Sequence, residues 1–146
     1  MMRLVVDASA LVADLLRAAG RVRLADERLE LFIAEHTSAE VKHELPKRVG
    51  RLARQRKLDV DLAERLVDEC LAAVDRNLVV VHEAAYAPLE EEARWRSPRD
   101  PDGWPVVAAA LAVGGAVWTN DKDFLGTGIA TWTTETAISW LAHTEG

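Results

Sequence analysis

The chain has 146 residues, 49% of them hydrophobic, and a formal net charge of −6. This length predicts a single domain over residues 1–146 with a substantial core, and the negative charge argues against a generic nucleic-acid coat. The single cysteine, Cys70, excludes an internal disulfide framework, and no apolar run reaches membrane-spanning length, so we expect a soluble cytoplasmic protein.

Short apolar runs rich in β-branched residues alternate along the chain with longer segments of helical spacing. The short runs predict strands at residues 4–6, 31–33, 78–81, 116–118 and 129–132. Helices are predicted over residues 9–18, 37–57, 60–76, 86–96, 104–113 and 134–142, the second one with an interruption near Pro46 and Gly50. This alternation predicts an α/β fold: one open, twisted, mostly parallel sheet of about five strands, flanked by helices. In such sheets ligands bind beyond the carboxyl ends of the strands, near the point where the strand order reverses.

Acidic residues stand where two of the predicted strands end. Asp7 comes directly after the first strand, and Asp121 follows the strand that ends near Trp118. A lone Asp in such a place is typical of a helix cap or a turn, but two at the ligand-binding edge of one sheet favour a shared site. Asp123 adds a third acid two residues further on.

Two more acids, Asp100 and Asp102, precede the helix predicted from residue 104. Asp102 fits a cap of that helix, and Asp100 fits one if Pro101 is the first helical residue. Metal binding is the competing interpretation for both.

Glu40 lies about one turn into the helix after the second strand, where a side chain can point back toward the strand ends. Glu44 lies one turn further and faces similarly, so the spacing does not separate the two. Ser9 and Thr119 carry hydroxyls that can orient the acids beside them.

These candidate ligands are hard oxygen donors, and the four histidines show no zinc spacing. Such a donor set favours Mg²⁺ or Mn²⁺. Divalent ions held by a few carboxylates commonly serve phosphoryl chemistry, so hydrolysis of a phosphodiester is the expected reaction.

Four segments of the chain resemble, in their order and spacing, the motifs of the PIN domain, the metal-dependent ribonuclease fold shared by the VapC toxins of bacterial toxin-antitoxin pairs. They are residues 5–11, 39–41, 104–108 and 118–124, and together they span nearly the whole chain. The resemblance implies a PIN-like fold and an endoribonuclease whose catalytic, metal-binding acids are Asp7, Glu40 and Asp121, with Asp123 as an additional acid. It also implies two partners besides RNA: an antitoxin that blocks the site, and a second copy of the chain.

The resemblance breaks at one position. The family's remaining acid usually lies five residues before the equivalent of Ala108, and in this chain that position is Gly103. Glycine has no side chain to bind a metal, so we expect Asp102, or else Asp100, to substitute. The sequence leaves four interpretations open: a shifted site that uses Asp102, a weakened enzyme with fewer acids, an inactive domain that binds RNA or protein, and a deliberate replacement that tames a toxic enzyme. We favour retained metal binding.

A block of six basic residues without one acid follows in the long second helix. Its members are Lys47, Arg48, Arg51, Arg54, Arg56 and Lys57. A solvated helix face explains such a block as well as an RNA-binding surface that contacts phosphates without reading bases.

Two further expectations concern the site's neighbours and a rival fold. Most of the five tryptophans should be buried, with Trp104 beside the acidic motif as the candidate for stacking on an unpaired base.

A haloacid-dehalogenase-like phosphatase also places an Asp after its first strand. The sequence disfavours it, because position 9 is Ser where that family has a second Asp.

Overall fold

The computed structural model describes residues 1–145, and its five strands form one sheet in which every neighbouring pair is parallel. The strands are β1 (Met2–Val6), β2 (Leu29–Ala34), β3 (Leu78–Val81), β4 (Ala116–Trp118) and β5 (Thr131–Trp132), in the spatial order β3-β2-β1-β4-β5. The chain thus builds outward from β1 on one side and then returns to pair β4 with its other edge. The strand order therefore reverses between β1 and β4, and the predicted α/β architecture is confirmed.

Eight α-helices pack around this sheet in the described part of the chain. They are α1 (Ala8–Leu15), α2 (Ala18–Leu24), α3 (Glu35–Arg56), α4 (Val60–Asn77), α5 (Glu83–Tyr86), α6 (Glu90–Arg96), α7 (Trp104–Val113) and α8 (Thr134–His143). Three short 3-10 turns lie at Ala87–Leu89, Pro101–Gly103 and Lys122–Phe124. No helix within residues 1–145 is both long and apolar enough to cross a membrane.

The central strand β1 is buried on both faces of the sheet, which explains why Leu4, Val5 and Val6 form a continuous apolar run. Successive residues of β1 point to opposite faces, so Leu4 and Val6 join one core cluster while Val5 joins the other. The first cluster also holds buried side chains of α1, α3 and α4, and the second is dominated by the alanines and valines of α7. With its core closed on both sides, the domain exposes the carboxyl ends of the strands along one edge.

Helix α2 was not predicted, and its contacts explain why. A Cβ atom on Gly20 would lie 2.0 Å from the backbone oxygen of Asp14, so only glycine allows this close approach. Arg23 of the same helix makes two hydrogen bonds of 3.1 Å to the buried Asp14 carboxylate. The helix therefore depends on tertiary contacts rather than on an apolar stripe.

Helix α3 differs from its prediction in the opposite way, because it runs without interruption through Pro46 and Gly50. Pro46 is exposed and removes one backbone hydrogen bond, whereas Val41, Leu45 and Val49 on the other face are completely buried. Burial of that stripe outweighs the cost of the proline, and α3 is one continuous helix over Glu35–Arg56.

Candidate functional site

Residues from four separated parts of the chain meet beyond the carboxyl ends of β1, β2 and β4. They enclose a cavity of about 170 Å³, which we call the acid cavity. Its acidic lining residues are Asp7, Glu40, Asp100, Asp102 and Asp121. The cavity lies at the strand-order reversal, the place where open parallel sheets bind their ligands.

A buried threonine connects the acids that follow β1 and β4. The Thr119 hydroxyl donates to Asp7 Oδ2 at 2.9 Å and accepts from the Asp121 backbone N–H at 3.0 Å. Ser9 donates to the same Asp7 oxygen at 3.1 Å. Both hydrogen bonds to this carboxylate, within the described residues, reach Oδ2, which leaves Oδ1 available to a cation. The hydroxyls expected to orient the acids are thus in contact with Asp7.

The pKa of Glu40 is raised, as expected for a partly desolvated carboxylate close to other carboxylates. Partial desolvation raises its pKa above the ordinary value, His36 opposes that shift, and the negative charges of Asp7 and Asp100 raise the pKa further. His36 Nε2 lies 3.4 Å from Glu40 Oε1. Bringing further negative charge to this point is unfavourable, and bringing a cation is favourable.

Thr37, one turn before Glu40 on α3, adds a polar group that sequence reasoning missed. Its side chain is 1% exposed and lines the acid cavity, yet its Oγ1 is a buried side-chain atom without a hydrogen-bond partner in residues 1–145. Leaving a buried hydroxyl without a hydrogen bond costs free energy, so a ligand that bonds to this atom would be stabilised. Its spacing of three residues from Glu40 was the available signal.

The position of Gly103 is filled by its neighbours. A Cβ atom there would lie 3.0 Å from Phe124 Cζ and 3.3 Å from Asp100 Oδ2. Asp100 therefore already holds a carboxylate oxygen beside the place from which a side chain at 103 would extend. Neither Asp100 nor Asp102 makes a side-chain cap to the turn or helix that follows it, which removes capping as the explanation for them.

Two other predicted residues lie at the margins of the site. Asp123 does not line the acid cavity, and its backbone N–H donates to Asp121 Oδ1 at 2.9 Å. Trp104 is half-buried, with its ring 5.7 Å from that of Tyr86 and with the Arg94 guanidinium 5.5 Å from its centroid, so its faces are partly engaged. Trp95 is the most exposed tryptophan, at 80%.

The basic block does not form one surface. Arg48 is half-buried and lines a cavity beside Glu40, whereas Arg54 and Lys57 line a different, apolar cavity between α3 and α4. Lys47, Arg51 and Arg56 are exposed on α3. The half-buried Arg48 lies about 12 Å along the helix axis from Glu40, and Arg54 about 21 Å, from the helical rise per residue.

The donor set fits a hard divalent cation. Every candidate ligand is a carboxylate oxygen, Asp7 keeps one oxygen unengaged, and the orphaned Thr37 hydroxyl lines the same space. As the side chains stand, no three His, Cys, Asp or Glu residues among those described are arranged to hold a metal ion. The carboxylates line one cavity without converging on one point.

Fold and site together define an α/β domain whose carboxylates gather at the reversal point of an all-parallel sheet. A family model described as PIN domain matches residues 5–141, and the chain therefore belongs to the PIN domain family. PIN domains are generally nucleases that use divalent metals.

Among solved structures, the chain is similar to PAE2754 from Pyrobaculum aerophilum. The two are 22% identical with a TM-score of 0.66, and the similarity covers 98% of this chain and 91% of that one. At this identity the likeness supports the fold. No curated protein matches the chain.

Proposed function

We propose that this protein is a Mg²⁺- or Mn²⁺-dependent endoribonuclease, acting in the cytoplasm as the toxin of a toxin-antitoxin pair. The observation that carries the proposal is the acid cavity itself. Carboxylates from positions as distant as Asp7 and Asp121 line one space of about 170 Å³ in a PIN domain. Gathering like charges in one partly desolvated space is unfavourable, and a bound cation offsets that cost.

Asp7, Glu40 and Asp121 are the proposed catalytic residues and metal ligands. Asp100 replaces the acid missing at position 103, because its Oδ2 lies beside that position. Asp102 and Asp123 complete the negative surroundings. When bound, the divalent ion supplies a Lewis acid and lowers the pKa of a water molecule.

The chain's own groups hold the acids in place for this chemistry. Thr119 and Ser9 fix the orientation of the Asp7 carboxylate through Oδ2, and Thr119 ties the backbone after β4 to the same residue. Phe124 and Val106 form apolar walls of the cavity, and they limit the space available to bulk water. The Asp7 carboxylate is therefore held in one orientation at the edge of the cavity.

RNA binding is assigned to the basic block, beginning with the members nearest the acid cavity. Arg48 lines the cavity next to Glu40, and the exposed Lys47 and Arg51 flank it on α3. These side chains contact phosphates without reading bases, so the affinity for RNA should fall as the salt concentration rises. An affinity that does not depend on salt contradicts this role.

The test is RNA cleavage during a titration with Mn²⁺ or Mg²⁺. The wild-type chain should cleave only with the metal, and Asp7→Asn should remove most of that activity. Circular dichroism confirms that the variant is folded. Cleavage that persists in EDTA, or is equal in Asp7→Asn, rejects the proposal.

A second candidate function is an inactive PIN domain that binds RNA or protein, and Gly103 is the observation in its favour. Inactivity of the wild type, of Gly103→Asp and of Asp121→Asn at every metal concentration, together with RNA binding by all three, supports this candidate. Metal-dependent cleavage by the wild type excludes it.

The proposed partners are a small antitoxin and a second copy of this chain. A short open reading frame beside the gene, whose product binds the chain and inhibits cleavage, supports the first. Light scattering that gives twice the chain's mass supports the second, and a monomer at all concentrations rejects it.

A further inference from the structure

A second cavity adjoins the acid cavity and shares Glu40 with it. It has a volume of about 370 Å³ and lies between α1 and α3. We call it the side cavity, and its lining residues are Ala8, Ser9, Val12, Glu40, His43, Glu44 and Arg48. Because Glu40 lines both spaces, a ligand that reaches Glu40 from the acid cavity also reaches the edge of the side cavity.

The lining of the side cavity is divided into an apolar side and a charged side. Ala8 and Val12 of α1 form the apolar side, and α3 supplies Glu44 and Arg48 one turn apart. No ion pair joins Glu44 to Arg48 or to any other basic group in residues 1–145, so both charges are available to a ligand. Lys47 Nζ lies 3.0 Å from His43 Nε2 and adds positive charge at the rim.

Size and chemistry together select the ligand class. A volume of about 370 Å³ is at the low end for small-molecule sites, which fits one nucleotide rather than a stacked pair. An apolar wall suits the face of an unpaired base, and a cation suits the phosphate that follows it. A carboxylate only accepts hydrogen bonds, and guanine is the base whose pairing edge offers two adjacent donors.

We propose that the side cavity is a subsite for one unpaired nucleotide next to the scissile phosphate, with guanine preferred through Glu44 and its phosphate held by Arg48. This assignment rests on the proposed ribonuclease function, because the acid cavity provides the neighbouring phosphate position. The competing interpretation of Glu44 and Arg48 is a solvated pair that serves only the helix.

The first arm of the experiment measures binding without cleavage. Fluorescence anisotropy in Ca²⁺, a cation with the same preference for oxygen ligands, follows labelled single-stranded pentanucleotides that differ in one central base. The wild type should prefer guanine over adenine by roughly tenfold, the discrimination of a good bidentate contact. Glu44→Gln should shift that preference toward adenine, because an amide pairs with one donor and one acceptor.

Arg48→Gln should instead weaken binding of all four oligonucleotides and reduce the salt slope of the affinity by about 0.7, the value for one phosphate contact on a single strand. The matched controls are Glu64→Gln and Arg76→Gln. Both residues are on α4 and line cavities that do not contain Glu40. The controls should leave base preference and salt slope unchanged.

The second arm measures cleavage of the same oligonucleotides in Mn²⁺ and separates the two proposals. Binding with guanine preference but no cleavage supports the subsite and rejects the ribonuclease. Cleavage without a Glu44-dependent preference rejects the subsite and leaves the ribonuclease standing. Neither binding nor cleavage rejects both, and equal effects in the control variants reject the subsite.

Discussion

The two ends of helix α3 contribute to cavities of opposite character. Near its first turns, Glu40 lines the acid cavity of about 170 Å³, whose other acids are Asp7, Asp100, Asp102 and Asp121. Near its last turns, residues such as Val49 and Ala53 line the cavity between α3 and α4, which measures about 490 Å³ and is mainly apolar. The larger space is formed by residues 46–67 alone, two consecutive helices.

The difference teaches that the two cavities arise from different levels of structure, whatever their volumes. The apolar cavity follows from local packing of two helices that are consecutive in the chain. The acid cavity requires strands far apart in sequence to end at the same edge. Substitutions at the apolar cavity, outside the basic block, should therefore leave the chemistry of the acid cavity unchanged.

The largest difference in RNA cleavage is expected between loss of a carboxylate at the acid cavity and loss of a carboxylate at the apolar cavity. Asp121→Asn should lower metal-dependent RNA cleavage by at least roughly 100-fold, because even groups behind the ligands commonly contribute 10–100-fold. Glu64→Gln, which lines the apolar cavity, should leave the rate unchanged. Equal losses in the two variants contradict the distinction between the cavities.

Thr119→Val tests the connection between the acids. The change removes the hydroxyl that contacts Asp7 and leaves the Asp121 backbone N–H unsatisfied. Mn²⁺ affinity by calorimetry should fall roughly 10–100-fold, and the free energy of unfolding should fall by about 1–3 kcal/mol. Thr119→Ser keeps the hydroxyl and should recover most of the Mn²⁺ affinity. If Mn²⁺ affinity is the same in Thr119→Val and the wild type, the hydroxyl does not orient the ligand.

Thr37→Val should separate stability from metal binding. Because the Thr37 hydroxyl is buried without a partner, its replacement by a methyl group of similar size should raise the free energy of unfolding of the metal-free protein by about 1 kcal/mol. The additional stabilisation that Mn²⁺ provides should shrink. Thermal unfolding with and without the metal measures both quantities. A metal-free variant less stable than the wild type shows that the hydroxyl already has a partner.

Gly50→Ala gives the smallest effect and concerns the apolar end of α3. A Cβ atom on Gly50 would approach only Arg54 Nη1, at 3.7 Å, so the added methyl group has room. The substitution should stabilise the protein by about 0.5–1 kcal/mol through helix propensity. RNA cleavage should stay at the wild-type rate, measured in parallel with urea unfolding. Slower RNA cleavage by Gly50→Ala would show that the two ends of α3 are energetically coupled.

Much of the fold was predictable because the apolar runs are short and clearly bounded. The predicted bounds of β3, β4 and α7 agree with the structure, and α7 is followed by Gly114, whose φ of 68° suits glycine. Helix α2 was not predicted because its stability comes from the contacts of Gly20 and Arg23 with Asp14. The periodicity of apolar residues in the sequence does not indicate such contacts.

The acids that line the cavity were predictable from their places after strands and beside or within helices, but their relative arrangement was not. Asp7 and Asp121 follow their strands directly, and β-strand geometry brings both to one edge. The choice between Asp100 and Asp102 depends on the 3-10 turn at Pro101–Gly103, which local spacing did not resolve. Similarly, residues 47–57 form one basic run in sequence, but the rotation of α3 distributes Arg48 and Lys57 to different cavities.

The buried thiol of Cys70 is a natural probe for opening of the hydrophobic core. Its Sγ donates to the Leu15 backbone oxygen at 3.2 Å, its side chain is 0% exposed, and burial raises its pKa. A thiol in that state does not react with alkylating reagents, and the chain has no other cysteine. Alkylation of Cys70 therefore requires an opening that exposes this thiol, and mass spectrometry of the intact chain follows that opening without any introduced label.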